Sequence, residues 1–285
     1  MKLNLDHYKI LGVINITPNS FSDGGLNLDP DFLLNTLHFF SSNKKLIWDI
    51  GAESTAPMNS KISQEEELNR FRYFFNLIKE KKMKLPKVIS IDTYKFDVMK
   101  EVYFEIKKLS PKTQIIFNDV SGVVDDELLS FLSNYKDLAY VYCFTKNVGR
   151  ENVHDHMKNV KASEDIVMEM MESFYRVSSL FKIHHLENEL ILDPCFGFSK
   201  TLDENWKIID DFSRVLKIKK QMKLNHPILI GVSKKSFIHK LIDSNNPKED
   251  SEFIHYKIIS EFHQLDTDQI IYRVHNPVLV QFALG

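Results

Sequence analysis

Two kinds of segment alternate along the chain. Short runs rich in β-branched and aromatic residues occur at Tyr8–Asn15, Lys45–Ile50, Lys87–Ile91, Gln114–Asn118, Leu138–Phe144, Leu190–Asp193, Pro227–Gly231 and Gln269–Val274, and predict eight strands. Between them lie longer amphipathic stretches. Ser63–Lys82 carries Leu68, Phe71, Phe75 and Ile78 at spacings of three and four, and Ser63 with Glu66 makes a capping-box start. Helices are predicted likewise for Asp31–Phe40, Phe96–Leu109, Asp125–Asn134, Ala162–Phe181, Glu204–Met222 and Ser251–Gln264. Strand–helix alternation builds a parallel sheet. Eight repetitions in one chain of this length predict an α/β protein with a closed (β/α)8 TIM barrel, a single domain over 1–285 with a short last helix. A doubly wound open sheet is the competitor, but its glycine-rich first turn, G-x-G-x-x-G, is absent.

Composition narrows the function classes. The 285 residues are 43% hydrophobic and 27% charged with a net charge of −2, which speaks against a basic nucleic-acid binder, an acidic disordered chain and a membrane protein. The first residues, MKLNLDHYKI, are charged where a signal region is apolar, so a cytoplasmic protein is expected. Cys143 and Cys195 stand at no metal-ligand spacing and are expected to be two separate buried thiols in a reducing compartment. Glycine is scarce, 9 residues in 285, against a typical share of about 7%. The places that keep it are therefore informative.

Polar residues gather at the predicted strand ends: Asn15, Asp49 with Glu53, Asp92, Asn118, Asp193, Ser233 with Lys235, and Arg273 with His275. Seven of the nine glycines lie in or beside these segments. Each polar residue alone is explained by a cap or turn. Together, at the end of a barrel where active sites form, they predict a polar pocket. Arg273 and His275, two apart on one strand, share a face. Arg suits bidentate phosphate contact and His can donate or carry a proton.

The segments that carry these residues are Asn15-Ile16-Thr17-Pro18-Asn19-Ser20-Phe21-Ser22-Asp23-Gly24-Gly25, Asp49-Ile50-Gly51-Ala52-Glu53-Ser54-Thr55-Ala56-Pro57, Ser90-Ile91-Asp92-Thr93, Asn118-Asp119-Val120-Ser121-Gly122, Asp193-Pro194-Cys195-Phe196-Gly197-Phe198-Ser199-Lys200, Gly231-Val232-Ser233-Lys234-Lys235-Ser236-Phe237 and Arg273-Val274-His275. In this order they resemble the dihydropteroate synthase family of folate biosynthesis over nearly the whole chain. The resemblance implies condensation of 6-hydroxymethyl-7,8-dihydropterin diphosphate with 4-aminobenzoate to dihydropteroate and diphosphate. It implies that Asp92, Asn118, Asp193 and Lys235 bind the pterin, and that Asn15, Thr55, Arg273 and His275 bind the diphosphate. It also implies that Phe21, Pro57, Phe198 and Ser236 frame the aminobenzoate. Arg273, His275 and Lys235 would take the catalytic roles. Mg²⁺ would be held by Asn15 with the diphosphate. Partners are then small molecules, with no nucleic acid and no membrane.

The chain departs from the family pattern in places. Ala56 stands where the family has arginine, and Met58 where it has glycine. Phe144-Thr145-Lys146 replaces a Met-His pair, Cys195 and Ser199 replace glycines, and Asn276 stands where aspartate is usual. The short C-terminal end leaves the outer ring of helices less complete, an edge that a homodimer or another partner would cover. Two alternatives to the active enzyme follow. One is a paralogue that binds pterin without condensing it, favoured by Ala56. The other is a methyltetrahydrofolate-dependent methyltransferase barrel, disfavoured by the Asn15–Gly25 loop and by the lack of a corrinoid-binding domain.

Overall fold

Successive side chains on a strand point to opposite faces, and this parity sorts the hydrophobic residues into two cores. In the computed structural model, which describes residues 5, 8–17, 30–55, 60–158, 160–233, 235–239, 247–265 and 269–284, one set from the strands faces inward. Leu11, Ile47, Val88, Ile116, Val141, Ile191, Leu229 and Ile271 form an enclosed apolar floor. The alternate residues, among them Trp48, Ile50, Ile89, Phe117, Tyr140, Leu192, Ile230 and Tyr272, face outward into a second core shared with the helices.

The strands are β1 (Ile10–Asn15), β2 (Leu46–Gly51), β3 (Val88–Asp92), β4 (Gln114–Asp119), β5 (Leu138–Cys143), β6 (Leu190–Asp193), β7 (Ile228–Ile230) and β8 (Ile270–Val274). They pair in parallel in sequence order, and β8 returns to β1, closing the barrel. The helices are α1 (Pro30–Ser42), α2 (Gln64–Glu80), α3 (Phe96–Leu109), α4 (Asp126–Asn134), α5 (Ile166–Ile183), α6 (Leu202–Asp210), α7 (Phe212–Gln221), α8 (Ser236–His239), α9 (Pro247–Leu265) and α10 (Pro277–Leu284). All eight expected strands are present, and the last helix is short, as the sequence implies. No helix among the described residues is long and apolar enough to cross a membrane.

The helix starts follow local chemistry. Ser63 caps α2 through its hydroxyl, which accepts from the Glu66 amide at 3.1 Å. Thr201 and Glu204 form a reciprocal capping box on α6. The helix expected from Ala162 begins only at Ile166, because the Asp165 carboxylate accepts from the Met168 amide and is gripped by Arg214. The single helix expected over Glu204–Met222 is two, the chain turning at Asp211, whose carbonyl accepts from the amides of both Arg214 and Val215. A 3-10 turn at Arg150–Asp155, which no periodicity announced, carries the chain across the mouth between β5 and α5.

Gly12 shows how tightly the helix layer sits on the strands. A Cβ there would lie 2.4 Å from Cε1 of Phe40, a buried residue of α1. Overpacking of this kind costs about 1–3 kcal/mol, so Gly12→Ala is expected to lose that much in urea denaturation. Phe40→Leu should recover part of it in the double variant. Strictly additive losses would show that the ring is not the obstacle.

Candidate active site

The parity that builds the floor also builds what lies above it. Two residues beyond each inward apolar position comes the next inward side chain: Asp49 after Ile47, Ser90 and then Asp92 after Val88, Asn118 after Ile116, Cys143 after Val141, Asp193 after Ile191, and Arg273 after Ile271. A polar layer thus rests on the apolar one at the C-terminal ends of the strands. Asp119, of opposite parity, is buried instead beside Tyr140 and Arg150.

Asp49 is the hub of this layer. It is fully buried, and a carboxylate there needs hydrogen-bond donors on both oxygens. Ser90 donates to Oδ1 at 2.6 Å, the Asn118 amide donates to the same oxygen at 3.2 Å, and Arg273 Nε donates to Oδ2 at 2.6 Å. Arg273 also donates through Nη2 to Asp92 Oδ2. With its nitrogen turned to Asp49, the Asn118 amide keeps its oxygen as an acceptor. Burial raises the Asp92 carboxyl, with Asp49 adding to the rise and Arg273 opposing it. Asp193 is likewise pushed up by burial. Lys235 is lowered to about 8 by burial and by the Arg273 charge, against the pull of Asp193 and Asp92. Two cations therefore face three carboxylates.

The turn between β6 and α6 forms another wall. Asp193 Oδ1 accepts from the Cys195 amide at 2.6 Å. The Phe198 ring stacks on His156 with centroids 4.2 Å apart, and the Lys235 ammonium lies 4.7 Å over its centroid. The expectation of two separate thiols is corrected here: Cys143 and Cys195 are joined in a disulfide, their Cα atoms 5.3 Å apart. The register explains it, since Cys143 pairs with Asp193 across β5 and β6 and the chain turns back two residues later.

A charged cluster braces the rim. Glu53 Oε2 accepts from Lys95 Nζ at 2.6 Å, and its Oε1 meets the Ile62 amide and His154 Nε2, each at 3.0 Å. Lys95 also reaches Glu67 at 2.8 Å. Loops after β2, β3 and β5 are thereby tied together.

Of the residues expected in the site, Asp92, Asn118, Asp193, Lys235, Arg273 and Phe198 are brought together in this way. Asn15 ends β1, half-buried and paired in register with Gly51, and Thr55 is half-buried beyond β2. His275 lies just past the end of β8, its Nδ1 3.1 Å from Ser233 Oγ. Arg273, expected at the diphosphate, is also engaged by the carboxylates of Asp49 and Asp92. Ser236 stands at the start of α8, after β7. Phe21, Pro57, Ala56 and the side chain of Ser236 lie outside the described residues. Sequence reasoning placed Asp49 at a strand end but gave it no role, and it passed over Ser90, Lys95, His154 and His156. Only Asp49 and Ser90 carried a signal, the two-residue step from an inward apolar residue.

A family model described as pterin binding enzyme matches residues 11–275. Dihydropteroate synthase from Synechocystis sp. is 30% identical over 243 residues, covering 84% of this chain and 76% of that protein. The chain belongs to the dihydropteroate synthase family. It is also 32% identical over 235 residues to the folate synthesis bifunctional protein of Arabidopsis thaliana, covering 80% of this chain but spanning only 46% of that longer protein. Among solved structures, dihydropteroate synthase from Clostridium difficile, determined in the presence of pteroic acid, superimposes with a TM-score of 0.74 at 27% identity, covering 97% of this chain and 94% of that one.

In this member of the dihydropteroate synthase family, Asp49 compensates a partly buried guanidinium and holds two further polar groups. Removing one partner of such a pair costs about 3–5 kcal/mol. Asp49→Asn is therefore expected to lower stability by about that much in chemical denaturation at pH 7, whereas the surface variant Glu65→Gln stays within ~0.5 kcal/mol. Equal small losses would remove Asp49 from its place as hub.

Proposed function

We propose that this protein is a dihydropteroate synthase that joins 6-hydroxymethyl-7,8-dihydropterin diphosphate to 4-aminobenzoate. The observation that carries the reading is the acceptor-rich wall of Asp92, Asn118 and Asp193, set against Lys235 and Arg273 above an apolar floor. A pterin edge presents amino and ring N–H donors beside ring acceptors. Asp193 accepts from the donors, the Asn118 oxygen and Asp92 extend the acceptor set, and Lys235 donates to ring atoms. Leaving any of these buried groups unpaired costs about 1–3 kcal/mol, which favours this heterocycle over an apolar one.

Chemistry then proceeds at the exocyclic methylene. Its C–O bond breaks and the electron pair leaves with the diphosphate. The aromatic amine, a weak nucleophile, attacks the methylene carbon and gives up a proton. The positive charge that develops on the methylene spreads into the pterin ring. Asn15, Thr55, Arg273 and His275 receive the diphosphate, and the guanidinium Nη1 is the part of Arg273 committed to neither carboxylate. Phe198, with Phe21, Pro57 and Ser236, frames the aminobenzoate.

The donor set also fits Mg²⁺ carried by the substrate. Among the described residues no three His, Cys, Asp or Glu side chains gather to cage a metal, whereas one carboxamide oxygen at the end of β1 suits an ion that keeps its waters and binds substrate phosphates. Bound there with the diphosphate, it would neutralise charge on the leaving group.

Incubating the protein with Mg²⁺, the pterin diphosphate and labelled 4-aminobenzoate is expected to yield dihydropteroate by chromatography. Retained pterin binding without product would instead support the paralogue that binds and does not condense. Asp193→Ala should abolish pterin binding in calorimetry while the circular dichroism spectrum is kept, and normal binding would overturn the pocket assignment.

Proton linkage gives a further test. Lys235 carries its charge in the ligand-free protein below about 8 and loses it above. Pterin affinity is expected to fall as the pH rises through that value, because a donor to the ring is neutralised. Lys235→Met should bind more weakly at low pH and show no such fall. An unchanged pH profile in that variant would exclude Lys235 as the titrating group.

A further inference from the structure

Among the described residues, five other than glycine hold a positive φ: Lys82, His185, Cys195, Ser199 and Lys223. Lys82, His185 and Lys223 each stand two residues past the end of a helix, α2, α5 and α7 respectively, where a left-handed residue commonly terminates the helix. Cys195 and Ser199, at φ 56° and 47°, do not. They flank Gly197, at 81°, so three of the five residues from 195 to 199 are left-handed in a turn with one glycine. These two positions are glycines in the family pattern.

Each of the two side chains is tied to the end of β5. Cys195 is bonded to Cys143. Ser199 Oγ meets Thr145 Oγ1 at 2.9 Å and accepts from the Lys146 amide at 2.7 Å. The buried Lys200 ammonium adds a third tie, donating to the carbonyls of Phe144, Cys195 and Phe198 at 2.7, 3.1 and 3.0 Å. The same turn presents the Cys195 amide to Asp193 and carries the Phe198 ring. A conformation that glycine adopts freely is here imposed on other residues by crosslinks, and two ligand-facing side chains depend on it.

We propose that the Cys143–Cys195 disulfide is a positioning element, holding the β6–α6 turn in a glycine-like conformation so that Asp193 and Phe198 are set for their ligands. The ligand identities rest on the dihydropteroate synthase reading. The bond is open to a dithiol: dithiothreitol supplies two electrons and two protons, the Sγ–Sγ bond breaks to two thiols, and the reagent closes into its own cyclic disulfide. Cys195 is then free to leave the left-handed region, taking its amide from Asp193.

The test compares the parent purified without reductant, the dithiothreitol-treated parent, Cys143→Ala and Cys195→Gly. Calorimetry reads the binding of pterin diphosphate, and peptide hydrogen exchange reads residues 193–200 without any ligand. Reduction and Cys143→Ala are expected to weaken pterin binding about tenfold and to speed exchange in 193–200, with the β2 peptide 46–51 unchanged. Cys195→Gly, needing no clamp, should bind like the oxidised parent and ignore the reductant. Two free thiols titrated in the denatured parent would overturn the proposal, as would exchange in 193–200 that does not respond to reduction. If the oxidised parent binds no pterin, the functional reading falls, and the exchange data alone still decide the role of the disulfide.

Discussion

A fully buried carboxylate at the centre of a barrel mouth is tolerable only if it is paired and both its oxygens are hydrogen-bonded, and Asp49 meets that demand by drawing on three other strands. Ser90 comes from β3, Asn118 from β4 and Arg273 from β8, so one side chain of β2 fixes groups from both sides of the ring. The consequences run outward from there. Arg273 is held in place to reach Asp92, and Asn118 keeps a defined face as acceptor. Rotamer freedom that a pterin would otherwise have to remove is already gone, and pre-organisation of this sort is how a small polar ligand gains affinity.

The opposite wall solves a related problem differently. Asp193 is hydrogen-bonded by a backbone amide, with Lys235, Arg273 and Lys200 adding their charges through space, and that amide belongs to a left-handed residue. A chain with 9 glycines in 285 residues has little of the residue that adopts this conformation without strain. It holds the turn through side chains instead: a disulfide, a hydroxyl pair and a lysine shared among three carbonyls. Burial lowers Lys200 to about 7 against the pull of Asp193 and Glu204, and three carbonyls accept its hydrogen bonds.

Much of this arrangement was legible in the sequence because the barrel obeys a period of two. Runs such as Leu190–Asp193 read as buried strands, and the polar residues Asp49, Asp92, Asn118, Asp193 and Arg273 near their ends have the parity of the floor beneath them. Helix starts were legible where a cap is local, as at Ser63, and shifted where the cap depends on a distant partner, as Asp165 does on Arg214. The hub role of Asp49 was hidden because its partners lie 41, 69 and 224 residues away. The disulfide, spanning 52 residues, was hidden for the same reason: only the β5–β6 register makes Cys143 and Cys195 adjacent. Composition had argued instead from compartment, which says nothing about proximity.

The engagement of Arg273 bears on the alanine at position 56. Position 56, an arginine in the sequence pattern the chain resembles, is alanine here, and the Arg273 guanidinium is already paired with Asp49 and Asp92. A guanidinium held by carboxylates keeps its charge, and here they raise its proton affinity further despite burial. Its net attraction for an incoming diphosphate is nevertheless reduced, since part of its field is cancelled at short range. On the proposed reading, charge on the leaving group falls to what the diphosphate brings and to donors such as Asn15, Thr55 and His275. On the proposed reading, the pterin half of the site is the one whose residues already stand together, with Asp49 fixing Asn118 and Arg273 and the Cys195 amide fixing Asp193.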